Sequence, residues 1–197
     1  MELFLIIFVL AAGFYMAWNI GANDVSNAMG TSVGSGALTL FRAVIIAGIL
    51  EFAGAFFLGG NVSETIQRGI VDPTFFAQTP NLLFIGMLSA LIATALWLQI
   101  ASYFGWPVST THAIVGALLG FGLISGGFEA IHWDAIGGIS TGWGLSPVIS
   151  GTFAFLIFRF LQRKIFFTLD PLKRSRRLMP YLVGVVFITF TLSALLG

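Results

Sequence analysis

Six long apolar runs set the pattern of the chain, at residues 3–18, 40–60, 82–102, 108–124, 143–161 and 178–196. Each is close to the ~20 residues that an α-helix needs to cross roughly 30 Å of hydrocarbon. The pattern predicts an all-α, polytopic integral membrane protein of about six transmembrane helices, forming a single transmembrane domain over residues 1–197. Two stretches break the pattern. The first is "GANDVSNAMGTSVGSG", residues 21–36, where an aspartate, two asparagines and four glycines follow closely on an apolar run. The second is "FGWPVSTTHAIVGALLGFG", residues 104–122, where three hydroxyl residues, Ser109, Thr110 and Thr111, follow one residue after Pro107.

Unpaired backbone groups in hydrocarbon cost several kcal/mol each, so irregular backbone at membrane depth is expected only where protein or trapped water satisfies it. Residues 21–36 hold one charge and no Pro, Lys, Arg or Glu. A surface loop here should instead look like residues 61–81, with Glu64, Arg68, Asp72, Pro73 and Pro80. Both polar stretches are therefore expected to be interrupted or re-entrant, half-buried segments. In the 61–81 connection, Ser63 reads as the cap of a new helix start. Residues 126–144 read as a second outer loop and residues 170–180 as a polar linker.

Composition agrees with a membrane protein: of 197 residues 57% are hydrophobic and only 9% are charged, a balance foreign to water-soluble domains. The absence of cysteine excludes disulfides and thiol chemistry. Ahead of the first run the one charge is Glu2, so a cleaved signal peptide with its basic leading region is not expected. Seven of the nine Lys and Arg residues fall in residues 159–177: Arg159, Arg163, Lys164, Lys173, Arg174, Arg176 and Arg177. By the positive-inside rule this loop is cytoplasmic in a multi-pass cell-membrane protein. Counting back then puts the N-terminus outside, Arg42 inside and Arg68 outside. Such a cluster also suits anionic lipid heads or nucleic acid, but beside membrane spans topology is the reading taken, and no nucleic-acid partner is expected.

The candidate chemistry sits in the two unusual stretches. On helical spacing Asn23 and Asn27 are i, i+4 and Asp24 and Asn27 are i, i+3, so one face presents a carboxylate and two amide carbonyls. These hard oxygens suit a small cation such as Na⁺, and the carboxylate alone suits a proton. An aspartate at a helix centre costs about 2.5–3.5 kcal/mol to insert, which favours a functional reading over helix capping. At the second stretch, Pro107 fits a first helical turn, and its free N–H groups with Ser109, Thr110 and Thr111 form either an uncharged oxyanion pocket or a plain helix cap. Glu51, inside the second run, is a possible accessory carboxylate. His112 either assists the anion or sits at the interface. Gly30 and Gly34 have the small-xxx-small spacing of helix packing. No cofactor is expected.

The stretches "GANDVSNAMGTSVGSGALT" and "PVSTTH" together resemble the signatures of the inorganic phosphate transporter (Pit) family, the first departing from the family pattern at Ser26. Residues 51–72 are also similar to the family's second-helix region. The resemblance implies a carrier that moves inorganic phosphate by symport with Na⁺ or H⁺. Asn23, Asp24 and Asn27 would lie at the cation site and Ser109, Thr110 and Thr111 around the anion. Family members carry two related halves, each with both motifs, whereas this chain has one copy of each. The expectation is thus one half of an inverted-repeat transporter, completed by a C-terminal repeat, a separate chain or a second copy. A missing half is favoured because the chain stops directly after a span.

Three rivals follow: a sulfate permease of the same fold, an inactive or regulatory half, and an intramembrane hydrolase built on Ser109 and His112. For the last, no glycine-framed nucleophile elbow or orienting acid is present. The chain is accordingly not expected to be an enzyme.

Overall fold

The computed structural model describes the backbone of residues 2–196, and their side chains except at 2, 58, 60–68 and 193–196. The side-chain readings of Ser63, Glu64 and Arg68 lie outside the described residues. Six helices stand where the six apolar runs predict them: α1 (Glu2–Gly34), α2 (Leu40–Gly69), α3 (Pro80–Tyr103), α4 (Thr110–Gly126), α5 (Trp133–Leu161) and α6 (Pro171–Leu196). A π-helical turn, Gln162–Phe166, extends α5. Four segments are long and apolar enough to cross a membrane, Leu3–Gly34, Leu40–Phe57, Pro80–Tyr103 and Trp133–Phe166, and Thr110–Gly126 is a shorter apolar helix. The chain is an all-α, polytopic membrane protein.

The helices outrun the apolar runs, and this corrects four boundaries. Residues 21–34 do not interrupt the first helix; α1 continues through them for 33 residues, about 50 Å at 1.5 Å per residue. Each Gly or Asn costs a helix roughly 1 kcal/mol or less, a penalty that side-chain contacts of the kind described below can offset. The chain leaves α1 at Gly36, whose φ of +74° is open to glycine without strain and whose N–H donates to the Val33 carbonyl at 3.0 Å. Helix α2 runs to Gly69, so Ser63 starts no new helix. Helix α5 begins at Trp133, and α6 begins at Pro171, which puts Lys173, Arg174, Arg176 and Arg177 on a helix instead of in a linker. Charged side chains are good helix formers in water, so a helix need not end where its apolar run does.

The chain divides into two compact units, residues 1–137 and 138–197. In the first, Tyr15 on α1 donates to Gln99 Oε1 on α3 at 3.0 Å, and Asn23 reaches Ser102 further along both helices, so α1 and α3 run parallel. Small buried residues, Ala90, Ala95 and Ala101, line α3 around the fully buried Leu98. Helices α3 and α4 pack so tightly at Gly86 that a Cβ there would collide with the Phe121 ring, itself stacked on Phe76 with centroids 5.5 Å apart.

The connections after α2 and α4 meet in a two-residue antiparallel bridge between Val71 and Ile131. The Asp72 N–H donates to the Ala130 carbonyl and the His132 N–H to the Ile70 carbonyl, both at 3.0 Å. Both loops therefore lie on one side, as expected for two outer loops. Asp72 caps the 3-10 turn Pro73–Phe76, accepting from the Thr74 hydroxyl at 2.6 Å and its N–H at 2.9 Å. These bonds, the hydroxyl's first, hold the Asp72 carboxyl below its ordinary range.

Candidate functional site

The two sequence motifs meet at the end of α3. There Phe104 N–H donates to Ile100, Gly105 N–H to Ser102 at 3.2 Å and Trp106 N–H to Ala101 at 2.8 Å. This is a Schellman-type cap, and it requires the φ of +68° that Gly105 adopts. The reversal turns the Trp106 carbonyl toward α1 and delivers Pro107 to the start of α4.

Asn23 receives that turn. It is 4% exposed, and its amide nitrogen donates to the Trp106 carbonyl at 3.4 Å and contacts Ser102 Oγ at 3.5 Å. Its own carbonyl accepts from Asn27 Nδ2 at 3.1 Å, the i, i+4 contact expected from the spacing. Beside them a cavity of about 460 Å³ is lined by Asn23, Ser26, Asn27, Ser102, Gly105, Trp106 and Pro107.

Asp24 makes the other bridge. The Thr110 hydroxyl donates to Asp24 Oδ2 at 3.1 Å, with Oδ1 at 3.5 Å. A hydrogen bond to a carboxylate contributes about 1.5–3 kcal/mol, and as both groups are partly solvated the lower half of that range applies. A hydroxyl has one proton, so while Thr110 donates to Asp24 it cannot also donate to an oxyanion. Its lone pairs remain open to a cation. The Asp24 carboxylate with the Thr110 hydroxyl, and the Asn23 and Asn27 amide oxygens with the Ser102 hydroxyl, are two groups of hard oxygens of the kind an alkali cation takes, and the second group lines the cavity.

Ser109 caps α4: its Oγ accepts the His112 N–H at 3.3 Å and its carbonyl the Ala113 N–H at 3.1 Å. The bonds bear out the cap reading of Ser109, and capping the third N–H leaves those of Thr110 and Thr111 at the helix start, where they meet no acceptor among the described residues. Ser109, Thr111 and His112 are exposed. Glu51 lies on α2 beside α1; its Oε2 stands 3.9 Å from where a Cβ on Gly21 would be. A Cβ added at Gly30 or Gly34 would meet no neighbouring element within 4 Å, so no helix packs closely there; the two line a groove of about 680 Å³ between α1 and α2 with Val33, Leu40 and Val44.

Sequence reading missed Asn19, which is 2% exposed with its amide donating to the Tyr15 carbonyl at 2.8 Å. The signal was present: Tyr15, Asn19, Asn23 and Asn27 recur every four residues, a polar stripe on one face of α1. Ser102 and the Trp106 carbonyl carried no such signal, being assigned to the site by the α1–α3 packing.

A family described as the phosphate transporter family matches residues 20–196. A putative phosphate permease of Chlamydia pneumoniae is 53% identical over 185 residues, 94% of this chain and 43% of that protein. One of Pyrococcus horikoshii is 48% identical over 183 residues, 93% of this chain and 45% of its own length. The chloroplastic inorganic phosphate transporter 2-1 of Arabidopsis thaliana is 47% identical over 186 residues, 94% of this chain and 32% of its own. A solved structure described as the sodium-dependent phosphate transporter superposes with a TM-score of 0.76 at 43% identity, over 86% of this chain and 42% of that one. The chain spans less than half the length of these relatives.

Proposed function

The chain belongs to the phosphate transporter family, and on that premise we propose that it forms one half of a secondary carrier that moves inorganic phosphate with Na⁺, or with H⁺, across the cell membrane. The observation that carries the proposal is the Thr110–Asp24 hydrogen bond, which ties the first motif to the second. In this reading Asn23, Asp24 and Asn27 hold the cation. Phosphate binds at the α4 N-terminus through Ser109, Thr110 and Thr111, and Glu51 and His112 are accessory. The basic segment around residues 159–177 faces the cytoplasm. A second half, as a C-terminal repeat, a separate chain or another copy, completes the site.

Coupling then follows from charge. Without a cation, the Asp24 carboxylate retains the Thr110 proton and repels an anion at the helix start. At a separation of about 6 Å and an effective dielectric near 20 the repulsion is roughly 3 kcal/mol, on the order of 100-fold in affinity. A cation on Asp24 removes the repulsion and frees the Thr110 hydroxyl to donate to phosphate. Phosphate therefore binds well only after the cation, as symport requires.

The test is labelled phosphate uptake into proteoliposomes containing the complete assembly. Asp24→Asn should abolish cation-driven uptake, and unchanged Na⁺ dependence in that variant rules out the coupling role. Uptake driven equally by a proton gradient without Na⁺ assigns the coupling to H⁺, and competition by sulfate at equal concentration assigns the anion to sulfate.

A further inference from the structure

Residues 138–197 carry seven basic side chains and one acid, Asp170. That acid is occupied as the cap of α6, its Oδ1 accepting the Lys173 N–H at 3.0 Å. Four of the cations, Lys173, Arg174, Arg176 and Arg177, stand in the first two turns of α6. A helix N-terminus is itself positive, so cations are unfavourable there, and Arg174 and Arg177 repel each other at i, i+3. No described carboxylate lies near enough to pair with them. Each of these effects costs an exposed helix about 1 kcal/mol or less, so an anion beside the cluster is stabilising.

The structure also supplies a place for one. Lys164, on the π-helical turn, joins Arg174, Arg177, Leu178 and Tyr181 around a cavity of about 170 Å³. Lys164 also lines a second, larger cavity of about 530 Å³ with Phe155, Leu156, Arg159, Phe160 and Arg163, the Arg159 guanidinium lying 5.7 Å over the Phe155 ring. Three cations converge at one end, an amphipathic tyrosine stands beside them, and a surface of Phe155, Leu156 and Phe160 edged by Arg159 and Arg163 runs from the shared lysine. That matches a phosphate head with an acyl chain attached, and tyrosine is at home at the same depth.

We propose that Lys164, Arg174 and Arg177 form a binding site for the phosphate of an anionic phospholipid, whose acyl chain lies along Phe155, Leu156 and Phe160. The site uses none of the residues of the Asp24–Thr110 pair and does not rest on the transport reading. Free phosphate has the same head chemistry but lacks the chain, so it gains nothing from the apolar surface.

The experiment uses the full chain in neutral detergent micelles doped sparsely with phosphatidylglycerol or phosphatidylcholine, with retained lipid counted by native mass spectrometry. One phosphatidylglycerol per chain is expected, with phosphatidylcholine held far more weakly. Replacing both arginines (Arg174→Gln with Arg177→Gln) should weaken retention on the order of 30-fold, at about tenfold or less per cation. The equal-charge control, Lys173→Gln with Arg176→Gln, should change it by less than about threefold, as solvated charges contribute little. Equal losses in the two variants overturn the proposal, because they reduce the effect to net charge. Displacement of the lipid by millimolar inorganic phosphate also overturns it, assigning the cluster to the free ion.

Discussion

Replacing Thr110 by valine removes one hydroxyl at nearly constant shape and tests the link between the motifs most directly. The hydroxyl lies 3.1 Å from Asp24 Oδ2 and 3.5 Å from Oδ1, so one good hydrogen bond is lost. A charge-assisted bond contributes about 1.5–3 kcal/mol, and partial solvent access brings this to roughly 1.5. If the cation replaces the proton between the same oxygens, the cation loses a ligand of comparable strength. The half-saturating Na⁺ concentration should then rise about tenfold, at about 1.4 kcal/mol per decade. Phosphate affinity at saturating Na⁺ should also fall, because the freed hydroxyl is its donor. The assay is labelled phosphate uptake by the complete assembly in proteoliposomes across a Na⁺ series. An unchanged Na⁺ half-saturation, with only the phosphate half-saturation altered, refutes the reasoning. It would leave Thr110 as an anion ligand with no part in the cation site.

Two predictions concern the scaffold. At Gly86 a methyl group meets the Phe121 ring, which is stacked on Phe76. Overpacking costs about 1–3 kcal/mol and the better helix propensity of alanine returns up to ~1, so Gly86→Ala should destabilise by about 1–2 kcal/mol. Gly120→Ala, with nothing within 4 Å, should be neutral or stabilising, and equal melting temperatures in detergent for the two variants contradict the packing account. Asp72 is held below its ordinary carboxyl range by Thr74, so its contribution is present above the unfolded value of about 3.9 and is lost as pH falls through the lower folded value. Melting temperature followed from pH 6 downward should show this loss in the parent and not in Asp72→Asn; parallel curves would mean that the cap carries no linkage.

The apolar runs located all six helices because a run long enough to span a bilayer must pair its own backbone, and a helix does so locally. Helix ends were less legible. Residues 21–34 read as an interruption because glycine and asparagine disfavour helices, yet α1 passes through them while Asn23 finds its partners on α3 and the α3–α4 turn. Those partners lie about eighty positions away, beyond the reach of any local pattern. The same holds at the N-terminal ends of α5 and α6, where charge and glycine marked the expected edge of the membrane and not the end of the helix.

The sequence by itself determined that this is a helical membrane protein, that its unusual polar groups are confined to two stretches, and that those stretches resemble one transporter family. It also determined the contact of Asn23 with Asn27, because i, i+4 spacing acts within one helix. Only the tertiary structure decided that Asp24 faces Thr110, that Asn23 grips the Trp106 carbonyl and that Lys164 stands beside Arg174 and Arg177. The physical reason is range: propensity and periodicity act over one or two turns. Which helix face meets which depends on how the small residues of α3, Gly86, Ala90, Ala95 and Ala101, let α1 and α4 approach it.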